Sequence, residues 1–271
     1  DVMLYISFFP QLVAGPIVRA SDFIPQLDRR PDPNNLLVGM GMLLILWGLF
    51  KKQILASYIA IDLADKAFFD PARYGAVDLA LGVWGYAVQI YCDFSAYSDI
   101  AIGVAALLGY TFPRNFDQPY RSVSLSDFWR RWHISLSSWL RDYLYIPLGG
   151  NRKGRGRTYV NLMITMLLGG LWHGAAWKFL IWGALHGGGL AVERALGSAG
   201  RVVGWTRSHL LSVFLVFNFV CLAWIFFRAR TMGEALTYIS GFANWSAPTE
   251  LATPLNLGLI AVGLLIHFAP R

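Results

Sequence analysis

Two histidines, His133 and His173, stand within SLSDFWRRWHISLSSWLRDYLYIPLGGNRKGRGRTYVNLMITMLLGGLWHG, residues 124–174, among tryptophans and arginines in a chain otherwise suited to lipid. Ionisable side chains are costly in a bilayer, so between membrane segments they are candidates for function by default. Neutral imidazole is the usual proton acceptor near pH 7. His173 could therefore take the proton from a hydroxyl or thiol while an acyl group moves. Its setting is Leu171-Trp172-His173-Gly174-Ala175-Ala176-Trp177, preceded by Gly169-Gly170. Glycines there would let a ligand approach the backbone closely. The alternative is a histidine that ties two helices together by hydrogen bonds, and its depth in the membrane favours chemistry over that. His133 is open by spacing alone: an interfacial histidine is often only a comfortable amphipathic side chain. His186, in Trp182-Gly183-Ala184-Leu185-His186-Gly187, lacks a flanking polar cluster and reads as packing or tuning, and His209 and His267 carry no assigned site.

Other chemistries lack their residues. No pair of histidines one helical turn apart with a carboxylate is present, so no metal site is expected. A Gly-x-Ser-x-Gly elbow and phosphate-binding fingerprints in context are likewise missing. Arg130, Arg131 and Arg141, with Arg152, Lys153, Arg155 and Arg157, could hold lipid headgroups. They could equally gather the phosphates of an acyl donor, a coenzyme or a carrier pantetheine, because guanidinium pairs phosphate bidentately. Asp93 and Asp99, in the polar stretch Cys92–Asp99, should face protein, water or a partner cation. Cys92 and Cys221 read as small buried hydrophobes.

The elements that must position these residues are membrane helices. Only 14% of residues are charged and mean hydropathy is +0.46, against about 25% charged in soluble domains. Long apolar stretches interrupted by glycine indicate an α-helical bundle and not a barrel. The net charge of +7 sits in short loops, as the positive-inside rule and anionic lipid require, which argues against nucleic acid.

Along the chain, Val2–Val18 contains Pro10 and Gly15-Pro16 and reads as a broken or re-entrant entry. Arg19–Asn35 reads as a loop. Leu36–Phe50 is an apolar run that could continue as an interfacial helix to about Ala67, and Ala76–Tyr91 is the next span, followed by a polar break and the short piece Ile100–Tyr110. Ser126–Tyr143 gives one amphipathic helix lying in the membrane surface. Phe128, Trp129, Trp132, Leu136, Trp139, Leu140 and Tyr143 share one arc, and His133 falls at its edge. Ser124 or Ser126 would cap it, with Asp127 in the first turn. The basic loop Gly149–Arg157 marks a cytoplasmic side. Thr158–Trp172 then enters the membrane. As a straight helix it carries His173 about 22 Å in, past the midplane of a core roughly 30 Å thick. Further spans are expected at Ala175–Val192, His209–Phe227 and Leu255–Phe268, with no internal repeat.

The blocks FFPQLVAGPIVR (Phe8–Arg19), YCDFSAYSDIAIG (Tyr91–Gly103), NFDQPYRSVSLSDFWRRWHISLSSWLRDYLYIPLGGNRKG (Asn115–Gly154) and GGLWHGAAWKFLIWGALHG (Gly169–Gly187) are spread over about two-thirds of the chain. They closely resemble the membrane-bound O-acyltransferase family, in its bacterial polysaccharide branch typified by the membrane subunit of alginate O-acetylation. The resemblance implies an all-α polytopic bundle with an interfacial amphipathic helix and broken or re-entrant segments. Residues 1–271 would form one catalytic core, a fragment truncated at both ends and lacking the family's N-terminal helices. His133 and His173 match the two signature histidines. His173 would be the catalytic base in a narrow tunnel, and His133 would orient substrate or line that tunnel. Asp93, Asp99, Arg130, Arg131 and Arg141 would shape its mouth, the arginines holding the donor. The implied reaction moves an acetyl group from a cytoplasmic donor, acetyl-coenzyme A or another acyl donor acting as substrate with no bound cofactor. The group crosses the bacterial inner membrane to an extracytoplasmic partner of the serine-hydrolase-like (SGNH) type, which esterifies an alginate-like polysaccharide. Two rivals stay open: D-alanyl transfer from a carrier protein towards teichoic acids, and a histidine-dependent transporter or flippase, which would need paired broken helices in two related halves.

Overall fold

A computed structural model describes residues 2–12, 15–29, 37–197, 206 and 208–268, and among these there are helices and turns but no strand. The entry segment is broken, as its prolines require: helix α1 (Val2–Ser7) gives way to a 3-10 turn at Phe9–Gln11. The Tyr5 hydroxyl then donates to the Val18 carbonyl at 2.8 Å, folding the segment back on itself. The expected loop at Arg19–Asn35 is corrected in its first half. Ala20–Leu27 is helix α2, because Phe23, fully buried, is gripped by Phe8 and Phe112 with centroids at 4.7 and 5.9 Å. Burial of one aromatic outweighs the helix-breaking tendency of Pro25. Residues 30–35 of that loop lie outside the described residues.

Helices α3 (Val38–Phe69) and α4 (Ala76–Leu107) are each 32 residues long. The former is one helix through its whole length, wound as π-turns at Lys51–Ala56 and Ala60–Ala64. The two lie against each other along a seam of small residues: a Cβ on Gly41 would stand 2.9 Å from the Gly103 carbonyl oxygen, and one on Gly48 2.9 Å from that of Ala96. Small residues of this kind let membrane helices approach. The polar break expected after Tyr91 is corrected: α4 runs unbroken through it. Asp99 pairs with Lys51 at 2.6 Å, Ser95 accepts from the same ammonium at 2.6 Å, and Asp93 pairs with Lys52. With their charges matched by a neighbouring helix, the aspartates have no need to leave the helix for water.

The single amphipathic helix expected over Ser126–Tyr143 is also corrected. It is two short helices, α5 (Leu125–Arg131) and α6 (Ile134–Leu140), followed by a π-turn at Arg141–Tyr145. Next come α7 (Arg155–Trp172), α8 (Trp177–Leu196), α9 (His209–Arg228), α10 (Met232–Gly241) and α11 (Pro254–Leu265). Among the described residues α3, α4 and α9 are long and apolar enough to cross a membrane. The segments expected to span at Thr158–Trp172 and Ala175–Val192 are helical, as α7 and α8, with apolar content diluted by glycines and polar residues. Helix α10 was not anticipated; Thr231 caps it by accepting from the Glu234 amide. Both cysteines are free and buried, as expected.

The core is aromatic and centred on α4, α5, α8 and α9, with Tyr86, Tyr120, Phe128, Trp132, Trp182 and Trp224 all buried. Buried hydroxyls find carbonyls: Tyr120 donates to Ala87 and Tyr238 to Leu79, each at 2.7 Å, which satisfies polar atoms that would otherwise be costly inside.

Candidate active site

Helix α5 leads into the first histidine, and its start is fully capped. Ser124 accepts from the Asp127 amide at 3.1 Å, while the Glu193 carboxylate, on α8, accepts from the Leu125 and Ser126 amides at 2.6 and 3.1 Å. The first three amides of a helix have no partner within it, and a carboxylate there also suits the helix dipole.

The break between α5 and α6 is at His133, whose φ of 43° and ψ of 56° place a non-glycine residue in the left-handed region. Such a conformation costs on the order of 1–3 kcal/mol and persists only where the surroundings impose it. Here the loop around Asn115 imposes it from both sides. The Ile134 amide donates to the Asn115 carbonyl and the Asp117 amide to the Arg131 carbonyl, each at 2.8 Å. The imidazole is 4% exposed. It stands edge-on to Phe94 with centroids at 4.7 Å, and its Nδ1 lies 3.1 Å from Asn115 Oδ1. Burial pushes its pKa down to about 3, and the nearby imidazole of His173 acts in the same direction. His133 therefore stays neutral at physiological pH, and the two histidines are close enough to influence each other's charge.

His173 closes α7 at its C-terminus, its amide donating to Gly170 at 3.0 Å, and the short bend Gly174–Ala176 leads into α8. Its half-buried ring meets Trp172, Trp182 and Phe227 edge-on at 5.0, 5.3 and 5.1 Å. Trp182 stacks on Trp224 at 6.1 Å, and Trp224 lies 5.1 Å from Trp132, the residue before His133. An aromatic wall thus joins the two histidines. Between the histidines Trp132, Trp182 and Trp224 are all buried, a largely apolar setting suited to general-base chemistry on an apolar or thioester substrate.

Two of the glycines beside His173 are closely packed against the start of the next helix. A Cβ on Gly170 would lie 2.3 Å from the Phe179 carbonyl oxygen, and one on Gly174, at φ +155°, 2.6 Å from the Phe179 ring. They let α7 and α8 close into a hairpin.

His186 is fully buried, and its Nδ1 accepts from Trp129 Nε1 at 3.3 Å, a bond between α5 and α8 that fits a packing role. The arginines are spread over different tasks. Arg131 pairs with Asp127 at 2.8 Å and, more distantly, Asp117 at 3.9 Å. Arg141 pairs with Asp142 at 2.7 Å, and Arg19 reaches the same carboxylate at 2.5 Å. Those two guanidiniums, Arg141 first, hold the Asp142 carboxyl down at about 2. Arg130 is exposed and, among the described residues, makes no ion pair. Asp93 and Asp99 are tied to Lys52 and Lys51 and are not gathered with the arginines by any ion pair among the described residues. No three His, Cys, Asp or Glu side chains converge as a metal site among those residues.

Four residues escaped the sequence reading. Asn115, Ser135 and Ser98 form one buried network with His133, but their separation in the chain gave no local pattern. Glu193 did carry a signal: a carboxylate on a largely apolar helix calls for a partner.

The sequence model for "MBOAT, membrane-bound O-acyltransferase family" matches residues 1–232. A peptidoglycan O-acetyltransferase of Helicobacter pylori is 43% identical over 249 residues, covering 90% of this chain and 46% of its own length. A probable alginate O-acetylase of Pseudomonas putida is 42% identical over 277 residues, covering 99% and 54%. A teichoic acid D-alanyltransferase of Streptococcus thermophilus is 29% identical over 255 residues, covering 84% and 61%. The chain spans about half the length of the curated acetyltransferase relatives it matches. With its two histidines set on one aromatic wall inside a membrane-helix bundle, the chain belongs to the membrane-bound O-acyltransferase family.

Proposed function

We propose that this chain is the core of a bacterial inner-membrane O-acetyltransferase that passes an acetyl group from a cytoplasmic donor towards the hydroxyls of an exported polysaccharide. The observation that carries the reading is His173, a half-buried imidazole at the α7–α8 bend, walled by Trp172, Trp182 and Phe227. Support comes from relatives named as polysaccharide acetylases at 42–43% identity.

In this reaction His173 takes the proton from an attacking hydroxyl as its oxygen adds to the thioester carbonyl of acetyl-coenzyme A. The tetrahedral centre then collapses, the carbon–sulfur bond breaks, and the imidazolium returns the proton to the departing thiolate. His133, neutral and one aromatic wall away, orients the attacking group. The exposed Arg130 and the more solvent-facing Arg141 are the arginines best placed for donor phosphates, with Arg131 braced by Asp127. The acceptor hydroxyl belongs to an extracytoplasmic SGNH-hydrolase-like partner that completes the esterification.

The test is His173→Ala in the full-length protein, with polymer acetylation measured in cells. Acetylation should vanish while the membrane level and thermal melting of the protein hold. Retained acetylation removes His173 as base. If purified protein ignored acetyl-coenzyme A and accepted an aminoacyl carrier, D-alanyl transfer would replace acetylation.

A further inference from the structure

We propose that Asn115 is a positioning residue that locks His133 in the Nδ1–H tautomer, so that the imidazole presents Nε2 as a hydrogen-bond and proton acceptor. The Asn115 amide has one defined orientation. The Ser135 backbone amide lies 3.2 Å from Oδ1 and can only donate, so the atom facing it is the acceptor. At the other end Nδ2 donates to Ser98 Oγ at 3.0 Å. The orientation of the amide is therefore fixed by a group whose role admits no alternative.

An amide oxygen cannot donate. The His133 Nδ1 that lies 3.1 Å from it must then carry the hydrogen. The one competing donor is the Ser135 hydroxyl, and it stands nearer the amide oxygen than the ring nitrogen. Ser135 Oγ lies 2.9 Å from Asn115 Oδ1 but 3.5 Å from His133 Nδ1, and it accepts the Ile17 amide at 3.0 Å. Neutral imidazole has one N–H, so Nε2 keeps its lone pair.

The network is buried throughout: Asn115 and Ser98 are each 1% exposed and Ser135 7%. Water does not compete for these bonds, and exchanging the tautomers would leave Oδ1 facing a lone pair. The same residues hold the backbone, since Asn115 and Ile134 are joined through their main chains beside the strained φ of His133. The groups facing the ring are Phe94, Phe116, Asn115 and Ser135, with the imidazole of His173 the titratable neighbour. No carboxylate pairs with the ring among the described residues, so the tautomer rests on the amide. In the catalytic setting, which rests on the acyl-transfer reading above, His133 Nε2 accepts a hydrogen bond from the attacking hydroxyl and aims its oxygen at the acyl carbon.

The test is nitrogen NMR of full-length protein with 15N-labelled histidine, the His133 signals assigned by their loss in His133→Gln. At neutral pH Nδ1 should show a protonated shift and Nε2 an unprotonated one; the reverse pattern, or an equal mixture, overturns the proposal. Asn115→Asp keeps the acceptor and adds negative charge, so it should preserve the tautomer and move the acid limb of the acetylation pH profile to higher pH. Asn115→Leu should mix the tautomers and lower acetylation on the order of 10²-fold, in protein whose melting is checked. An unchanged tautomer and pH profile in both variants would also overturn it. Because the NMR result needs no substrate, loss of the acetylation reading leaves the tautomer assignment standing, and the two failures are distinguishable.

Discussion

Gly183→Ala tests whether the α7–α8 hairpin positions His173 by direct backbone contact. A Cβ on Gly183 would stand 2.4 Å from the Met166 carbonyl oxygen, 3.0 Å from its carbonyl carbon and 3.1 Å from the Leu167 Cα. All three are main-chain atoms, so no side-chain rotation relieves them. Ordinary non-bonded carbon contacts lie at about 3.5–4.0 Å, so the helices must part by about 1 Å. Overpacking of this kind costs about 1–3 kcal/mol, and a displacement near 1 Å of a catalytic group lowers rates on the order of 10²-fold. In a chain of this size each kcal/mol moves the melting point by about 2–4 °C. Melting in detergent and polymer acetylation in cells should therefore both fall, activity by much more than stability predicts. Gly188→Ala, on the same helix with nothing within 4 Å of its Cβ, should behave as wild type. If Gly183→Ala melted and acetylated normally while carrying its extra methyl, the close-contact account of the hairpin would be refuted.

Other perturbations have equally definite outcomes. Removing the Glu193 carboxylate with Glu193→Ala deprives two amides of a charged partner, each bond worth about 1.5–3 kcal/mol; the melting point should drop, and Glu193→Gln should recover part of the loss. Lys51 is the buried member of its ion pair, with side-chain exposure of 3% against 24% for Asp99. Asp99→Leu should therefore destabilise more than Lys51→Met, by up to about 3–5 kcal/mol, and the double variant should melt above Asp99→Leu alone. The Asp142 carboxyl, near 3.8 in its ordinary state, is depressed to about 2 by Arg141 and Arg19. A depressed carboxylate stabilises the fold above its unfolded pKa and loses that contribution as pH falls through the folded one. The melting difference between wild type and Asp142→Asn should be constant above about pH 5 and vanish towards pH 2; a difference that persists undiminished at pH 2 would contradict the pairing.

Several elements were legible because their signals are local. Pro10 and Gly15-Pro16 break the entry segment wherever it folds, Ser124 with Asp127 announces a helix start, and the basic loop before α7 needs no partner to be read. The misreadings share a cause. The stretch Cys92–Asp99 looked like a break because its aspartates lacked visible partners, and Lys51 and Lys52 lie 48 and 41 residues before the aspartates they pair with. Ser126–Tyr143 fitted one helical wheel, but the wheel cannot show that the Asn115 loop captures Ile134 and turns His133 left-handed. The Ala20–Leu27 helix was missed because Phe23 finds its contacts at Phe8 and Phe112.

The sequence by itself determined the class of the molecule: apolar length demands membrane helices, and the blocks around His133 and His173 mark the family and the two imidazoles. Tertiary structure alone decided what state those imidazoles are in. Their depth of burial, the aromatic wall between them, and the amide that dictates which nitrogen of His133 holds the proton all arise from residues distant in the chain. Hydrogen-bond roles and desolvation depend on what packs against a group in space, and one-dimensional spacing does not carry that information.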